Sequence, residues 1–511
     1  METIATFDKS SDSFIINSPT VTSAKFWPGE LGKFCTHAVF HAQLIIGSKN
    51  YGVQTFICQL RDMDSHRPLK GLEIGDIGPK GGYLQKDNGY MYFKNFKIPR
   101  TAILSKYTQV DKNGNFSVKG NPKFAYASMM FIRLYLIGTA STYTAKGLLV
   151  AIRYGVFRKQ FKTLENGKVE RKILDYQAHQ AALTPILAFT FATLFTKFKM
   201  IKLFQTMMDK IERKNDFKHL KEFHSLGSCL KAHYTDRTLE YLKIIRECCG
   251  GHGFSQYSGI PIIIETCTPN VTLEGDNTVM FQQTASNLLK STAKIMQGQP
   301  LKGSLSYIND MTNFQGKKLK NFNPDNFEHL QNILKAHVLY HIMRVGKYFQ
   351  MDQSSFGEKW NKLYQVDLVK AAQGHAVYIT AISFLEGLRS QNISDPLKKH
   401  LECLCKVHFA HSVINYADGA ILAGFIKGKH LSQTEEFMYK KIEEIRPQLL
   451  NIVEAFSYPD QTLNSIIGST TGDTYDKLYK AASYSSLNTK DSIDSISKYV
   501  KPMSKLLNAR M

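Results

Sequence analysis

The chain has 511 residues, 43% of them hydrophobic, which is enough apolar material for several cores and, by length, three or so domains. The formal charge of +22 invites a nucleic-acid reading. The 65 basic residues are spread along the whole chain among 43 acidic ones, however, with no nucleic-acid-binding motif beside them, so that reading rests on net charge alone. Eight scattered cysteines without an extracellular framework point to a reducing compartment, and the polar stretch from Met1 to Ser13 lacks the apolar core of a secretion signal.

Residues 1–118 read as β structure. Phe14–Ile16, His37–Phe40, Gln43–Ile46 and Gln54–Cys58 are short apolar or alternating runs, separated by turn clusters such as Ser48-Lys49-Asn50 and Asp111–Asn115. After Pro122 glycine and proline thin out and helical periodicity takes over, predicting helices over about 124–157, 175–212, 217–249 and 277–297. The longest apolar run, Ala181 to Phe195, contains Pro185 and is too short to span a bilayer, so no membrane span is expected.

Glycines and a proline between 298 and 326 break any period and suggest a linker. A second helical block follows over 327–511, with patterns at 367–391, 395–426 and 432–456. Within it Cys403, Cys405, His408 and His411 imitate a metal site. Positions two apart on a helix point to different faces, so four ligands do not converge and no metal is expected there. The fold class is therefore α+β, mainly α: a β-barrel-like domain (1–118), a helical bundle (119–297), a linker (298–326) and a second bundle (327–511).

Residues 248–280 are the most informative. Leu239, Leu242, Ile245 and Cys249 recur at helical spacing, and Gly250 can take the left-handed conformation that ends a helix. Gly250, Gly251 and Gly253 leave bare backbone that a flat or phosphate-bearing ligand can approach. Farther on, Thr272-Leu273-Glu274-Gly275-Asp276-Asn277-Thr278 places a single carboxylate, Glu274, on a short loop before a new helix that Asp276 or Asn277 caps. An acidic side chain on a loop held by rigid helices suits a catalytic base; the bland alternative is a helix-capping loop.

Gly-Gly-x-Gly followed by Glu-Gly resembles the flavin-binding and catalytic-base segments of the acyl-CoA dehydrogenase and oxidase superfamily. Gly259-Ile260-Pro261 and the run from Thr272 to Met280 look like the acyl-CoA oxidase branch. The likeness continues through Ile16–Thr20, Lys25–Gly29, Gly75–Lys80, Asp87–Tyr90, Ser306–Asp310, Glu454–Phe456 and Leu463–Gly468, in order. It implies an FAD-dependent oxidase that converts fatty acyl-CoA and O2 to trans-2-enoyl-CoA and hydrogen peroxide, and a homodimer. A dehydrogenase passing electrons to a protein acceptor is the alternative within the enzymes, and a non-catalytic subunit the alternative outside them. The terminal Ala509-Arg510-Met511 has the small–basic–aliphatic pattern of the peroxisomal address, which implies the peroxisomal matrix and an import receptor as a partner.

The resemblance also assigns roles. Glu274 would be the base that takes the α-proton of the thioester. Trp27 falls where the family places an aromatic beside the isoalloxazine ring. Gly29 stands where the dehydrogenases have a threonine whose hydroxyl reaches the flavin, which leaves room for dioxygen. Arg158 matches an arginine that reaches the FAD diphosphate of a partner subunit, a role its forked donors suit. Gln177 resembles a second cross-subunit contact, and Arg133 an arginine near the CoA moiety, while His252 is expected to pack. Family members carry an N-terminal helical domain and a Thr-Glu-x-Gly-x-Gly segment before the point where this chain starts. On that reading part of the flavin site and one pocket wall lie outside it, and weak FAD retention is expected.

Overall fold

A computed structural model describes every residue except 107, 120–123, 163–166, 168, 315, 489 and 509–511. The expected targeting tripeptide, Ala509, Arg510 and Met511, thus lies outside the described residues. The chain divides into two compact units, Met1–Ser128 and Met129–Met511.

Among its described residues the first unit carries ten strands: β1 (Ile4–Asp8), β2 (Ser13–Asn17), β3 (Lys25–Gly29), β4 (His37–Ile46), β5 (Lys49–Gln59), β6 (Leu72–Asp76), β7 (Asn88–Phe93), β8 (Phe96–Pro99), β9 (Thr108–Val110) and β10 (Phe116–Val118). They pair as a five-stranded sheet in the order β5-β4-β1-β2-β8, a three-stranded sheet β3-β7-β6 and a small β9-β10 ribbon. The barrel-like expectation takes the form of separate sheets sharing one core. Alternation drives it: Gly89, Met91 and Phe93 of β7 point inward while their neighbours do not. Phe93 meets Phe40 of β4 with ring centroids 4.8 Å apart, and Phe14 meets Phe56 at 5.1 Å. His37–Phe40 and Gln43–Ile46, separate runs in the sequence, form one strand. The turn after it is Gly47-Ser48, so Lys49 and Asn50 already belong to β5.

The second unit is helical apart from a hairpin, β11 (Lys159–Lys162) and β12 (Glu170–Lys172). Its first helices are α1 (Phe124–Phe157), α2 (Gln177–Lys214), α3 (Lys218–Cys248), α4 (Gly250–Phe254), α5 (Ile260–Cys267) and α6 (Asn277–Met296). There follow α7 (Met311–Phe314), α8 (Phe327–Met351), α9 (Phe356–Glu358), α10 (Gln365–Ser390), α11 (Asp395–Asn415), α12 (Asp418–Leu422), α13 (Gly428–Ile445) and α14 (Leu449–Glu454). α2 is long and apolar enough to cross a membrane by length and composition alone. Here it packs against α3, α10 and α11, with Leu183 to Thr190 all buried. Phe189 sits at that junction, 5.0 Å from the Tyr241 ring and 5.7 Å from Tyr234. Truncating so central an aromatic to alanine would cost about 3–5 kcal/mol.

Two expected helices are interrupted. The 395–426 pattern breaks at Tyr416, and α12 starts anew at Asp418. The 432–456 pattern breaks into a 3-10 turn at Arg446–Gln448, because Pro447 has no N–H to continue the ladder. Residues 298–326, expected as a linker, include a 3-10 segment Gly303–Asp310 that buries Tyr307 and Ile308, with Asp310 paired to Lys335 at 2.7 Å. Of the quartet that imitates a metal site, Cys403, Cys405 and His408 are buried in the core, and the Cys403 thiol donates to the Lys441 carbonyl.

Candidate active site

Glu274 stands half-buried on the loop between a 3-10 turn (Thr268–Val271) and α6. Its φ is +57°, in the left-handed region, which costs a residue with a Cβ about 1–2 kcal/mol. Several side chains oppose that cost. Arg133 of α1 donates from Nε to the Glu274 carbonyl at 3.3 Å and from Nη1 to Ser228 Oγ at 3.3 Å. Lys231 of α3 donates from Nζ to the next carbonyl, Gly275, at 2.7 Å and to Asn277 Oδ1 at 2.8 Å. Asn277 in turn donates from Nδ2 to Asp236 Oδ1 at 2.7 Å. Of the two expected caps, Asp276 accepts from the Thr278 and Val279 amides, while Asn277 turns inward to join this network.

Lys231 escaped the reading of the sequence. Its side chain is fully buried, and burial pushes the ammonium down from 10.5 to about 8, with the nearby Asp236 pulling the other way. The signal was there. Lys231 is the single charge between Ser225 and Thr235, a stretch in which every residue is buried. Two cationic side chains from two helices therefore fix consecutive carbonyls, and the carboxylate of Glu274 is presented from a loop with little freedom.

The far end of α3 builds a different feature. Gly250 takes φ +59° and turns the chain into α4. Gly250 and Gly251 form part of the wall of an open recess of about 660 Å³, together with Tyr154, Arg158, His179 and His252 among others. A Cβ at either glycine would meet no atom within 4 Å. Arg158 is held over the recess by donating to Tyr475 Oη at 2.6 Å and to Gln160 Oε1 at 2.7 Å, and the Tyr475 bond raises its guanidinium above its ordinary value. His179 Nε2 is buried there without a hydrogen-bond partner. Bare amides, a fixed guanidinium and an unsatisfied imidazole are donors suited to a phosphate-bearing ligand.

Not every expected residue joins the recess. Gly253 is buried instead against the end of α3, where a Cβ would stand 2.1 Å from the Arg246 carbonyl oxygen. Gln177, the first residue of α2, is exposed and lies outside the lining, two residues before His179, which belongs to it. His252 packs between the rings of Tyr154 and Tyr475 at 6.1 and 6.2 Å. Tyr475 and His179 carry no local motif and could not be read from the sequence.

In the β unit, Trp27 and Gly29 end β3. Register slips between Phe26 and Gly29, Trp27 adopts φ +84°, and Asn88 Nδ2 donates to its carbonyl at 2.8 Å. The indole is 60% exposed and meets an equally uncovered Phe26 edge-on. A large aromatic held exposed in a strained conformation offers a flat apolar surface for a planar ligand. Gly29 leaves the strand end narrow; a Cβ there would touch the Lys86 side chain at 3.2 Å.

Comparison with known proteins gives the family of the chain. Residues 126–289 match the family model of the acyl-CoA oxidase C-alpha1 domain, and residues 326–505 that of acyl-CoA oxidase. The chain is similar to the peroxisomal acyl-coenzyme A oxidase 1 of Cavia porcellus, 36% identical in an alignment 516 positions long that covers 98% of this chain and 77% of that protein. The structure of Arabidopsis thaliana acyl-CoA oxidase 1 superposes with a TM-score of 0.94 at 30% identity, covering 99% of this chain and 77% of that one. Caenorhabditis elegans acyl-CoA oxidase-2, solved with FAD, ascaroside-CoA and ATP bound, superposes with a TM-score of 0.92 at 32% identity over 99% of this chain and 75% of that one. The chain belongs to the acyl-CoA oxidase family.

Proposed function

We propose that this FAD-dependent oxidoreductase of peroxisomal fatty-acid β-oxidation, which turns fatty acyl-CoA and O2 into trans-2-enoyl-CoA and hydrogen peroxide, uses Glu274 as its base. One observation carries the assignment: Glu274 is a lone carboxylate in a strained conformation, its loop fixed by hydrogen bonds from Arg133 and the buried Lys231. The hydrogen on the carbon next to a thioester is only weakly acidic, so a base must be positioned against it rather than diffuse to it. Arg133 serves as a positioning residue for the loop, which fits a place near the CoA moiety.

Bound FAD would supply a two-electron acceptor for the departing hydride, with dioxygen as the final acceptor. The residues present fit it. Trp27 offers the aromatic surface for its ring system, Gly29 leaves space beside that ring, and Arg158 with Gly250 and Gly251 suits its diphosphate. Lys231 and Gly250 are nineteen positions apart on and just past α3, about 28 Å at 1.5 Å per residue, so the loop and the recess stand well apart within one chain. That separation supports the reading in which Arg158 serves the cofactor of a second copy in a homodimer. Gly253 acts through packing, and Gln177 reaches the partner's cofactor from the start of α2. Ala509, Arg510 and Met511 are read by the peroxisomal import receptor.

In the holoenzyme, Glu274→Gln is expected to keep yellow bound FAD yet to lose acyl-CoA-dependent peroxide production by at least about 100-fold. Turnover near that of the wild type with intact flavin would remove Glu274 from the role. For the address, a reporter ending in Leu507-Asn508-Ala509-Arg510-Met511 should enter catalase-positive particles; a diffuse signal would remove it.

A further inference from the structure

α8 carries His337 and His341, four residues apart and so on one face of the helix. Asp418, the first residue of α12, reaches both rings. Its Oδ1 lies 3.1 Å from His337 Nδ1 and its Oδ2 lies 3.2 Å from His341 Nε2. One ligating atom from each of the three residues lies within 4.8 Å of the other two, the one such group among the described residues. Gly419 permits the approach, because a Cβ there would stand 2.6 Å from the His337 carbonyl oxygen and 3.1 Å from His341 Cδ2. The break in the helical pattern at Tyr416 thus has a consequence: it delivers a carboxylate to two buried imidazoles.

Hydrogen bonding within the cluster leaves part of it unsatisfied. His341 is 2% exposed, and neither of its ring nitrogens has a hydrogen-bond partner, although Nε2 faces the carboxylate. A buried imidazole left this way costs on the order of 1–3 kcal/mol. His337 Nδ1 lies between the Gly419 amide, a long contact at 3.3 Å, and the Asp418 carboxylate at 3.1 Å. Nitrogen and oxygen atoms of three side chains thus converge on one point, with the Gly419 amide as the backbone donor beside them.

We propose that His337, His341 and Asp418 bind a divalent transition-metal ion of the zinc class. Zinc bonds imidazole nitrogen and carboxylate oxygen at about 2.0–2.2 Å, which places neighbouring ligands of a tetrahedron roughly 3.3–3.5 Å apart. The observed 3.1 and 3.2 Å separations are near that edge length. Two imidazoles select against magnesium and calcium, which prefer all-oxygen shells. The Asp418 side chain is 56% exposed, so the remaining coordination position faces solvent, where water completes the shell and the ion has a way in. On binding, the ion displaces the long Gly419 contact and clasps the start of α12 to α8. The site shares no residue with the Glu274 loop or the glycine recess.

The intact protein, freed of metal by a chelator, should be titrated with Co²⁺. The expected result is a visible absorption band of a low-coordinate cobalt site that saturates near one ion per chain, is displaced by Zn²⁺ and is untouched by Mg²⁺. Zinc should also raise the melting temperature. Asp418→Asn, at an exposed side chain, should melt like the metal-free wild type and bind cobalt at least about 10-fold more weakly. His341→Gln should behave the same way and serves as the second variant should the first misfold. No cobalt band, or a band equally strong in the wild type and both variants, overturns the proposal.

Discussion

Around residue 231 the third helix is buried on every side and grips the Glu274 loop through charged side chains. By residue 250 the same helix has ended, and bare backbone faces an open recess under Arg158. The first place spends polar groups inside the protein to remove freedom from one carboxylate. The second leaves bare glycine backbone, a guanidinium with donors beyond those given to Tyr475 and Gln160, and an unpartnered His179 nitrogen for something that arrives later. Positioning a base and receiving a phosphate-bearing cofactor thus impose opposite demands on one helix. Buried hydrogen bonds satisfied within the chain serve the first; polar groups lining open space serve the second.

The comparison breaks most readily at Lys231. Lys231→Met keeps the apolar stem but removes the donor to Gly275 and Asn277. Losing charged hydrogen bonds to buried acceptors should lower stability by about 2–4 kcal/mol, read from denaturant midpoints. Peroxide production should fall by about 100-fold as the loop loosens, with FAD still bound. Unchanged turnover would show that Arg133 alone fixes the loop. A pH series sharpens the point. The folded ammonium loses its proton near pH 8 and the unfolded one near 10.5, so between these values the unfolded chain binds more protons. Stability contributed by this residue therefore rises with pH across that window, and the wild type should pull further ahead of Lys231→Met from pH 8 to 10.5. A constant gap would mean that Lys231 is not desolvated in the fold.

At the other end, the glycines should separate by role. Gly253→Ala drives a methyl into the Arg246 carbonyl and should cost about 1–3 kcal/mol, with flavin loss following only from unfolding. Gly251→Ala adds a methyl to open space; it should leave the melting temperature within about a degree and weaken FAD retention. Equal behaviour of the two variants would erase the distinction between packing and binding glycines. Absorbance in the flavin bands after gel filtration, set against thermal melts, decides it.

What could be read from the sequence follows the same division. Local features were legible: the long helices over 124–157 and 277–297 fall within a residue of α1 and α6, and Glu274 sits on its loop with an adjacent cap. Features that depend on distant approach were not. Lys231 is marked in the sequence only as a single charge in an otherwise uncharged stretch, and nothing near it reveals the Gly275 carbonyl it serves. Asp418 lay inside an unbroken helical pattern, since periodicity does not register a glycine packed against His337. The three equivalent-looking glycines at 250, 251 and 253 differ in backbone and surroundings: Gly250 turns at φ +59°, Gly251 faces open space, and Gly253 packs on the end of the preceding helix.

Tyr475 offers the mildest test. It belongs to no motif and lies more than 300 positions from Arg158, yet its hydroxyl accepts from Nη1 at 2.6 Å while its ring flanks His252. Tyr475→Phe keeps the ring and removes only that acceptor. The tyrosine is 43% exposed and Arg158 retains Gln160 as a partner, so the fold should lose less than about 0.5 kcal/mol. Orientation is a different matter, because a guanidinium with one anchor samples more directions than one with two. FAD affinity should weaken by about 3- to 10-fold, the equivalent of one modest hydrogen bond, with turnover at saturating FAD unchanged. A combined Arg158→Lys, Tyr475→Phe variant should then bind no worse than Arg158→Lys alone, since lysine cannot use the fork that Tyr475 holds in place. Additive losses would show that Tyr475 contacts the cofactor itself and does not act through Arg158.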